Sequence, residues 1–235
     1  MLDRRIKLAF DVFGLLVTLA SISVFYQSQD YAIVLILAIV GIGLLLVAVY
    51  LILTPPITYR KLHWFVEIPY ADGSLANARK ETTLTANQRN IRSLVDRNLV
   101  SEGKLEVVGC NLGDIHGPHD EAGASVVTVF LKTPLPIGKT MTKVLSLRIR
   151  DSFTKDKEAV SCGVHERYKE IGLHVALPKK RTARSATAYM FNGDVAEKLP
   201  NVSVAENGRN IQIVVDKPRF GAKYVLVLCQ TSIDG

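Results

Sequence analysis

From Leu8 to Tyr26 the chain reads LAFDVFGLLVTLASISVFY with a single acidic or basic side chain, Asp11, and from Tyr31 to Thr54 it reads YAIVLILAIVGIGLLLVAVYLILT with none. As helices rising about 1.5 Å per residue, such stretches reach about 28 and 36 Å, enough for a hydrocarbon core about 30 Å thick. The pattern predicts two transmembrane helices, about 8–26 and 31–54. Only Gln27, Ser28, Gln29 and Asp30 separate them, so the expectation is a helical hairpin. Pro55 and Pro56 stop the second helix, because proline cannot continue the hydrogen-bond ladder. A linker over 55–61 then leads into a domain over 62–235.

Beyond the linker the period changes. Alternation and β-branched or aromatic enrichment predict strands near His63–Tyr70, Lys104–Cys110, Ser125–Lys132, Thr142–Arg150, Ala159–Val164, Lys169–Leu177, Ala186–Phe191, Asn210–Val215 and Lys223–Gln230. Turn chemistry separates them at Asp72-Gly73, Asn192-Gly193, Asn207-Gly208, Pro134 with Pro136, and Pro218 with Gly221. Strands of this length and spacing predict a β-sandwich or small barrel. One segment departs from the pattern: Ile91, Leu94, Val95 and Leu99 fall at helical spacing, with Gln88, Arg89, Arg92, Asp96 and Arg97 on the other face. With Thr85 and Gln88 as a capping box, it predicts one amphipathic helix, about Ala86–Leu99.

Charge sets the expected orientation. Arg4, Arg5 and Lys7 precede the first span, Arg60 and Lys61 follow the second, and the short connection has no basic residue. By the positive-inside rule both termini are cytoplasmic and the chain is a two-pass protein of the cell inner membrane. A cleaved signal peptide would also open on a basic cluster and an apolar run, but the second, longer span argues against it. The three basic residues before Pro55 balance Asp3, Asp11 and Asp30, so the whole net charge of +7 belongs to the β domain. Three widely spaced cysteines, Cys110, Cys162 and Cys229, read as reduced thiols of a cytosolic domain. Within the spans, Asp11 is an ionisable group at the membrane boundary, Gly14, Thr18 and Ser21 form a small-residue face, and Gly41 and Gly43 form a second one. These are the expected helix-packing positions of a homo-oligomer.

Candidate chemistry is sparse. G-x-S-x-G and the P-loop pattern are absent, and no Ser or Cys has an activating context, so no catalytic residue and no enzyme activity is expected. His116 and His119 form H-x-x-H, and Cys162 with His165 forms C-x-x-H. One cysteine with three histidines is outside the usual structural zinc sets, so no metal and no cofactor is expected. The basic run Lys179, Lys180, Arg181 and Arg184 after Pro178, together with Arg89 and Arg92, is the candidate ligand-binding set, since clustered cations neutralise phosphate. A solvated basic loop is its plain alternative. Duplex nucleic acid is not expected, because no long basic groove with stacking aromatics is visible.

In layout, two tightly connected spans before a β-rich cytosolic module, the chain resembles bacterial antiviral membrane effectors of the cyclic-oligonucleotide (CBASS) type. There a two-helix anchor carries a small β-barrel receptor. The resemblance rests on architecture and transfers no binding residue. It implies a sensor-effector of abortive infection: the β domain recognises a cyclic oligonucleotide, another small anionic ligand or a protein trigger, and the clustered anchor disrupts the lipid bilayer. The alternative is a membrane-tethered, Ig-like binding or scaffold module holding a protein partner.

Overall fold

The structure is a computed structural model that describes residues 39–47, 49, 54–97, 104–121 and 124–230. It divides into two units, Met1–Pro55 and Pro56–Gly235. In the first, the described residues 39–47 and 49 are helical. Among the described residues no helix is long and apolar enough to cross a membrane. That finding overturns the two-span hairpin, and with it the two-pass, inner-membrane assignment with cytoplasmic termini. The first expected span, 8–26, lies outside the described residues, as do Asp11, Gly14, Thr18 and Ser21. Gly41 and Gly43 lie on the described helix, and a methyl group built on either would meet no atom within 4 Å.

The second unit is built from strands: β1 (Ile57–Glu67), β2 (Leu75–Ala86), β3 (Ser93–Asp96), β4 (Lys104–Cys110), β5 (Gly113–Glu121), β6 (Ala124–Leu131), β7 (Thr140–Arg150), β8 (Lys157–Gly163), β9 (Glu170–Ala176), β10 (Ala183–Asn192), β11 (Val195–Leu199), β12 (Ser203–Ala205), β13 (Asn210–Asp216) and β14 (Lys223–Gln230). A seven-stranded sheet has the order β12-β13-β9-β1-β2-β7-β4, a four-stranded sheet β11-β10-β14-β8, and a three-stranded sheet β3-β6-β5. In the large sheet only β1 and β9 run parallel, Lys61–Glu67 against Glu170–Ala176.

Period-two patterning decides which face is covered. On β2, Ala76, Ala78, Lys80, Thr82 and Leu84 are buried; on β7, Lys143, Leu145, Leu147 and Ile149; on β9, Ile171, Leu173 and Val175. Leu62 and Val66 of β1 join them in one core with Val127 and Val129 of β6 and Tyr224, Leu226 and Leu228 of β14. The two smaller sheets therefore contribute the apolar layer opposite the seven-stranded sheet, as in a sandwich.

Three departures from the sequence reading have local causes. β2 went unrecognised because its middle, Arg79-Lys80-Glu81-Thr82-Thr83, is polar, yet it is a central strand, paired with β1 and β7 on its two sides. The expected helix over Ala86–Leu99 is absent: Ala86 closes β2, Asn90 takes φ +63° in the turn, and Ser93–Asp96 pairs with β6 as β3. Leu94 and Asp96 point inward while Ser93 and Val95 face out, so pairing and burial overrode a helical spacing carried by four apolar residues. Thr85 is no helix cap; its hydroxyl accepts from Arg60 Nε at 3.1 Å and shares a hydrogen bond with Thr140 Oγ1 at 2.9 Å. Finally, the glycine-containing stretch after Cys110 is the strand β5, with a register shift between His116 and His119.

The Asp72-Gly73 turn joining β1 to β2 is tightly constrained. Gly73 has φ +69°, and a β-carbon there would fall 1.5 Å from the Phe153 carbonyl oxygen and 2.6 Å from Arg181 Nη1. Gly73→Ala is therefore expected to destabilise the chain by about 3 kcal/mol, combining left-handed strain with displacement of a packed loop. Urea unfolding of the full chain checks this; a loss below about 1 kcal/mol would contradict the packing.

Candidate functional site

Two inward-facing positions in the large sheet carry lysine instead of an aliphatic residue. Lys80 on β2 lies between Ala78 and Thr82 in the buried row, and Lys143 on β7 opens the row continued by Leu145, Leu147 and Ile149. The β2–β7 register sets Lys143 opposite Thr82, one inward position from Lys80. Asp96, the last residue of β3, faces them from the three-stranded sheet. Lys80 Nζ stands 2.9 Å from Asp96 Oδ1, and Lys143 Nζ donates to Asp96 Oδ2. The side chains are 10 % (Lys80), 2 % (Lys143) and 4 % (Asp96) exposed.

Two ammonium groups therefore share one carboxylate away from water. Burial alone would raise the Asp96 carboxyl, but the charges of Lys80 and Lys143 and their hydrogen bonds outweigh it and hold it at about 2. Lys143 is pushed down from the ordinary lysine value, first by burial and further by Lys80, against the pull of Asp96. A carboxylate can compensate one cation well, but the second keeps an unmet demand for negative charge.

The group lies beside a cavity of about 300 Å³ lined by Tyr59, Leu62, Trp64, Lys80, Leu94, Asp96, Lys143, Cys162, His165, Glu166 and Tyr168, among others. Lys80 Nζ lies 5.5 Å from the centre of the Trp64 ring, and Tyr59 and Tyr168 meet edge to face at 5.7 Å. Burial pushes the Cys162 thiol up to about 11 and the Tyr59 hydroxyl up to about 12. It also raises the Glu166 carboxyl and lowers His165, the latter with help from Lys80. Burial in the cavity thus disfavours the charged forms of Cys162, Tyr59, Glu166 and His165, while two lysines share the Asp96 carboxylate.

A second concavity, about 700 Å³ and more open, lies on the outer face of the large sheet. Phe65, Arg79, His174 and Gln212 of its lining belong to a set of paired side chains on that face. His63 Nε2 is 2.8 Å from Glu170 Oε1, His63 Nδ1 is 3.1 Å from His174 Nε2, and His174 Nδ1 is 3.1 Å from Gln212 Oε1. Phe65 stacks on His174 at 4.5 Å, and the Arg79 guanidinium sits 4.8 Å from the Phe65 ring centre while pairing with Glu81 at 2.9 Å. Gly172, between the two histidines, is required by their closeness: a β-carbon would lie 2.7 Å from each ring.

The basic residues singled out in the sequence do not form one site. Lys179, Lys180 and Arg184 are exposed in and after the loop following β9, whose last residue, Ala176, pairs with Glu67. Arg89 and Arg92 are exposed in the turn after β2, whose last residue, Ala86, pairs with Ile57. Glu67 and Ile57 are the two ends of β1, about 33 Å apart at the usual strand rise. Arg181 is 2 % exposed and serves the fold: its guanidinium donates to the carbonyl oxygens of Phe153, of Lys155 at 2.6 Å and of Ala71 at 3.5 Å. His116 and His119 are exposed on β5 with ring centres 6.1 Å apart, while Cys162 is buried on β8. What the sequence reading missed is Lys80, Lys143 and Asp96. The one legible signal was Lys143, which falls on the apolar side of the strand expected at Thr142–Arg150.

No protein-family model matches the chain, and no curated protein matches it. Among solved structures it is similar to an M1 zinc metallopeptidase from Deinococcus radiodurans, with TM-score 0.44 and 11% identity over 73% of this chain and 42% of that one. A substituted form of that peptidase bound to a Tyr-Ser-Ala substrate matches with TM-score 0.44 and 12% identity, again over 73% and 42%. The chain spans less than half the length of these neighbours, and at these scores the likeness carries no activity across to it.

Arg181→Ala is expected to destabilise the full chain by about 2–3 kcal/mol, because several carbonyls lose a charged donor, and to leave anion binding unchanged. Urea unfolding and titration with inorganic phosphate check the two parts. The outer histidines yield a pH dependence. Burial first, then the neighbouring His63, holds His174 below the ordinary 6.5. The unfolded chain therefore takes up this proton first, so the contribution is fully present above pH 6.5 and is lost as pH falls through the lower folded value. The groups facing this pair are Lys61, Arg79, Glu81, Glu170 and Gln212. Thermal melts of the full chain between pH 7.5 and 5 are expected to show a fall in Tm that His174→Gln reduces.

Proposed function

We propose that the β unit is a recognition module for a small anionic ligand, bound in the cavity beside Lys80, Lys143 and Asp96. One observation carries the reading: two lysines buried on the apolar face of a sheet share a single carboxylate. Left alone, such a group pays a large desolvation cost with incomplete Coulombic return. An incoming carboxylate or phosphate supplies the missing charge in a place where low dielectric strengthens the interaction. Aromatic walls from Tyr59, Trp64 and Tyr168 with a few convergent polar groups have the make-up of a small-molecule site.

The cavity size narrows the ligand. At about 300 Å³ it stands at the lower end of ligand pockets, which suits a metabolite-sized anion rather than a cyclic oligonucleotide. The sensing half of the sensor-effector expectation is kept in this reading, and the bilayer-disrupting half is not. The site is a concave pocket with buried charges in its wall, so the reading is of recognition rather than of a scaffold surface.

The test uses the full chain with pyruvate, oxalate and inorganic phosphate as probes. Tm is expected to rise with the concentration of at least one of them, by about 2.7 kcal/mol of stabilisation at a hundredfold excess over Kd. Lys80→Met is expected to abolish that rise while leaving anion-free stability unchanged or slightly higher, since it leaves a balanced Lys143–Asp96 pair. Asp96→Asn, which strands two buried cations, is expected to cost about 3–5 kcal/mol. A Tm indifferent to all three anions, or a Lys80→Met protein as destabilised as Asp96→Asn, would show that the charge group is purely structural.

A further inference from the structure

We propose that the Lys143 ε-amine captures a small carbonyl-bearing anion covalently, as an iminium, in the cavity it shares with Lys80 and Asp96. The inference rests on the ligand reading above and adds a bond to it. The Lys143 side chain, 2 % exposed, projects from β7 at the wall of the cavity, its Nζ is held by Asp96, and a second ammonium stands on the same carboxylate. A lysine that is desolvated and placed beside another cation is the arrangement that makes an amine nucleophilic near neutral pH. The direction of its titration, below the ordinary lysine value, agrees with that geometry.

The chemistry balances without a co-reactant. The Lys143 ammonium gives up a proton, its nitrogen adds to the carbonyl carbon, and the carbonyl oxygen takes up protons and leaves as water. The net change is R-NH3+ and O=C giving R-NH+=C and H2O. The positive charge stays on the Lys143 nitrogen, so the pairing with Asp96 survives the reaction. Lys80 is left to face the ligand's own carboxylate. Directly across the β2–β7 pair, the Thr82 hydroxyl is 1 % exposed and without a hydrogen-bond partner among the described residues. The ligand class that meets both demands is a short 2-oxo acid or an aldehyde acid.

The full chain is incubated with pyruvate and sodium cyanoborohydride at neutral pH, and the product is analysed by intact mass and peptide mapping. One reductively attached pyruvate at Lys143 is expected, formed at least about tenfold faster than on the exposed Lys179 and Lys180, because the bound anion holds its carbonyl at high effective concentration. Mapping in the native sequence makes the result independent of whether Lys143→Met folds. Lys80→Met is expected to slow labelling at Lys143, by weakening the anion's hold and removing the neighbouring charge. Oxalate, which has the charge but no ketone, is expected to protect Lys143 from labelling. Labelling spread over surface lysines, with pyruvate still raising Tm, overturns covalent capture and leaves the anion site standing. Neither labelling at Lys143 nor any change in Tm overturns both.

Discussion

A carboxylate on the last residue of a four-residue strand holds two lysines that belong to a different sheet, and this contact joins the layers of the β unit. Asp96 comes from the β3-β6-β5 sheet, Lys80 and Lys143 from adjacent strands of the seven-stranded sheet. The surrounding core is apolar, so the three groups meet one another in place of water. That constraint, with its pairing to β6, gives a strand as short as β3 a defined place. Non-directional apolar packing would tolerate small slips; a shared carboxylate tolerates few.

The same constraint explains the contrast between the two concavities. On the outer face of the large sheet, Glu170, His63, His174 and Gln212 close a chain of hydrogen bonds, and Arg79 has both a ring and a carboxylate. That surface is larger but already satisfied. Inside, two buried lysines share a single carboxylate. Chemistry follows the unmet demand more closely than it follows volume, which is why the smaller cavity is the functional one in this reading.

Arg181 shows how a residue type misleads when its setting is unknown. In the sequence it is the third of four closely spaced basic residues, indistinguishable from a phosphate-binding loop. In the fold it alone turns inward and ties the carbonyls of Ala71, Phe153 and Lys155 together, while its neighbours stay in solvent. The planar guanidinium can serve several carbonyls at once where an ammonium cannot do so over the same span. Charge density along a chain records composition; it does not record which members are spent on the backbone.

By itself the sequence determined that the chain after Pro55 is built of strands, because period-two alternation and turn residues such as Asp72-Gly73 and Asn192-Gly193 act within a few residues of themselves. It also put Lys143 on an apolar strand face, the one visible trace of the site. It did not determine β2, whose Lys80 and Thr82 face inward only because partner strands lie on both sides of it. Nor did it determine β3, where Ile91, Leu94 and Val95 fit a helix as well as a strand until β6 offers a ladder. The meeting of Lys80, Lys143 and Asp96 belongs to the tertiary structure alone: a shared carboxylate is a relation between residues far apart in the chain, and no local pattern encodes it.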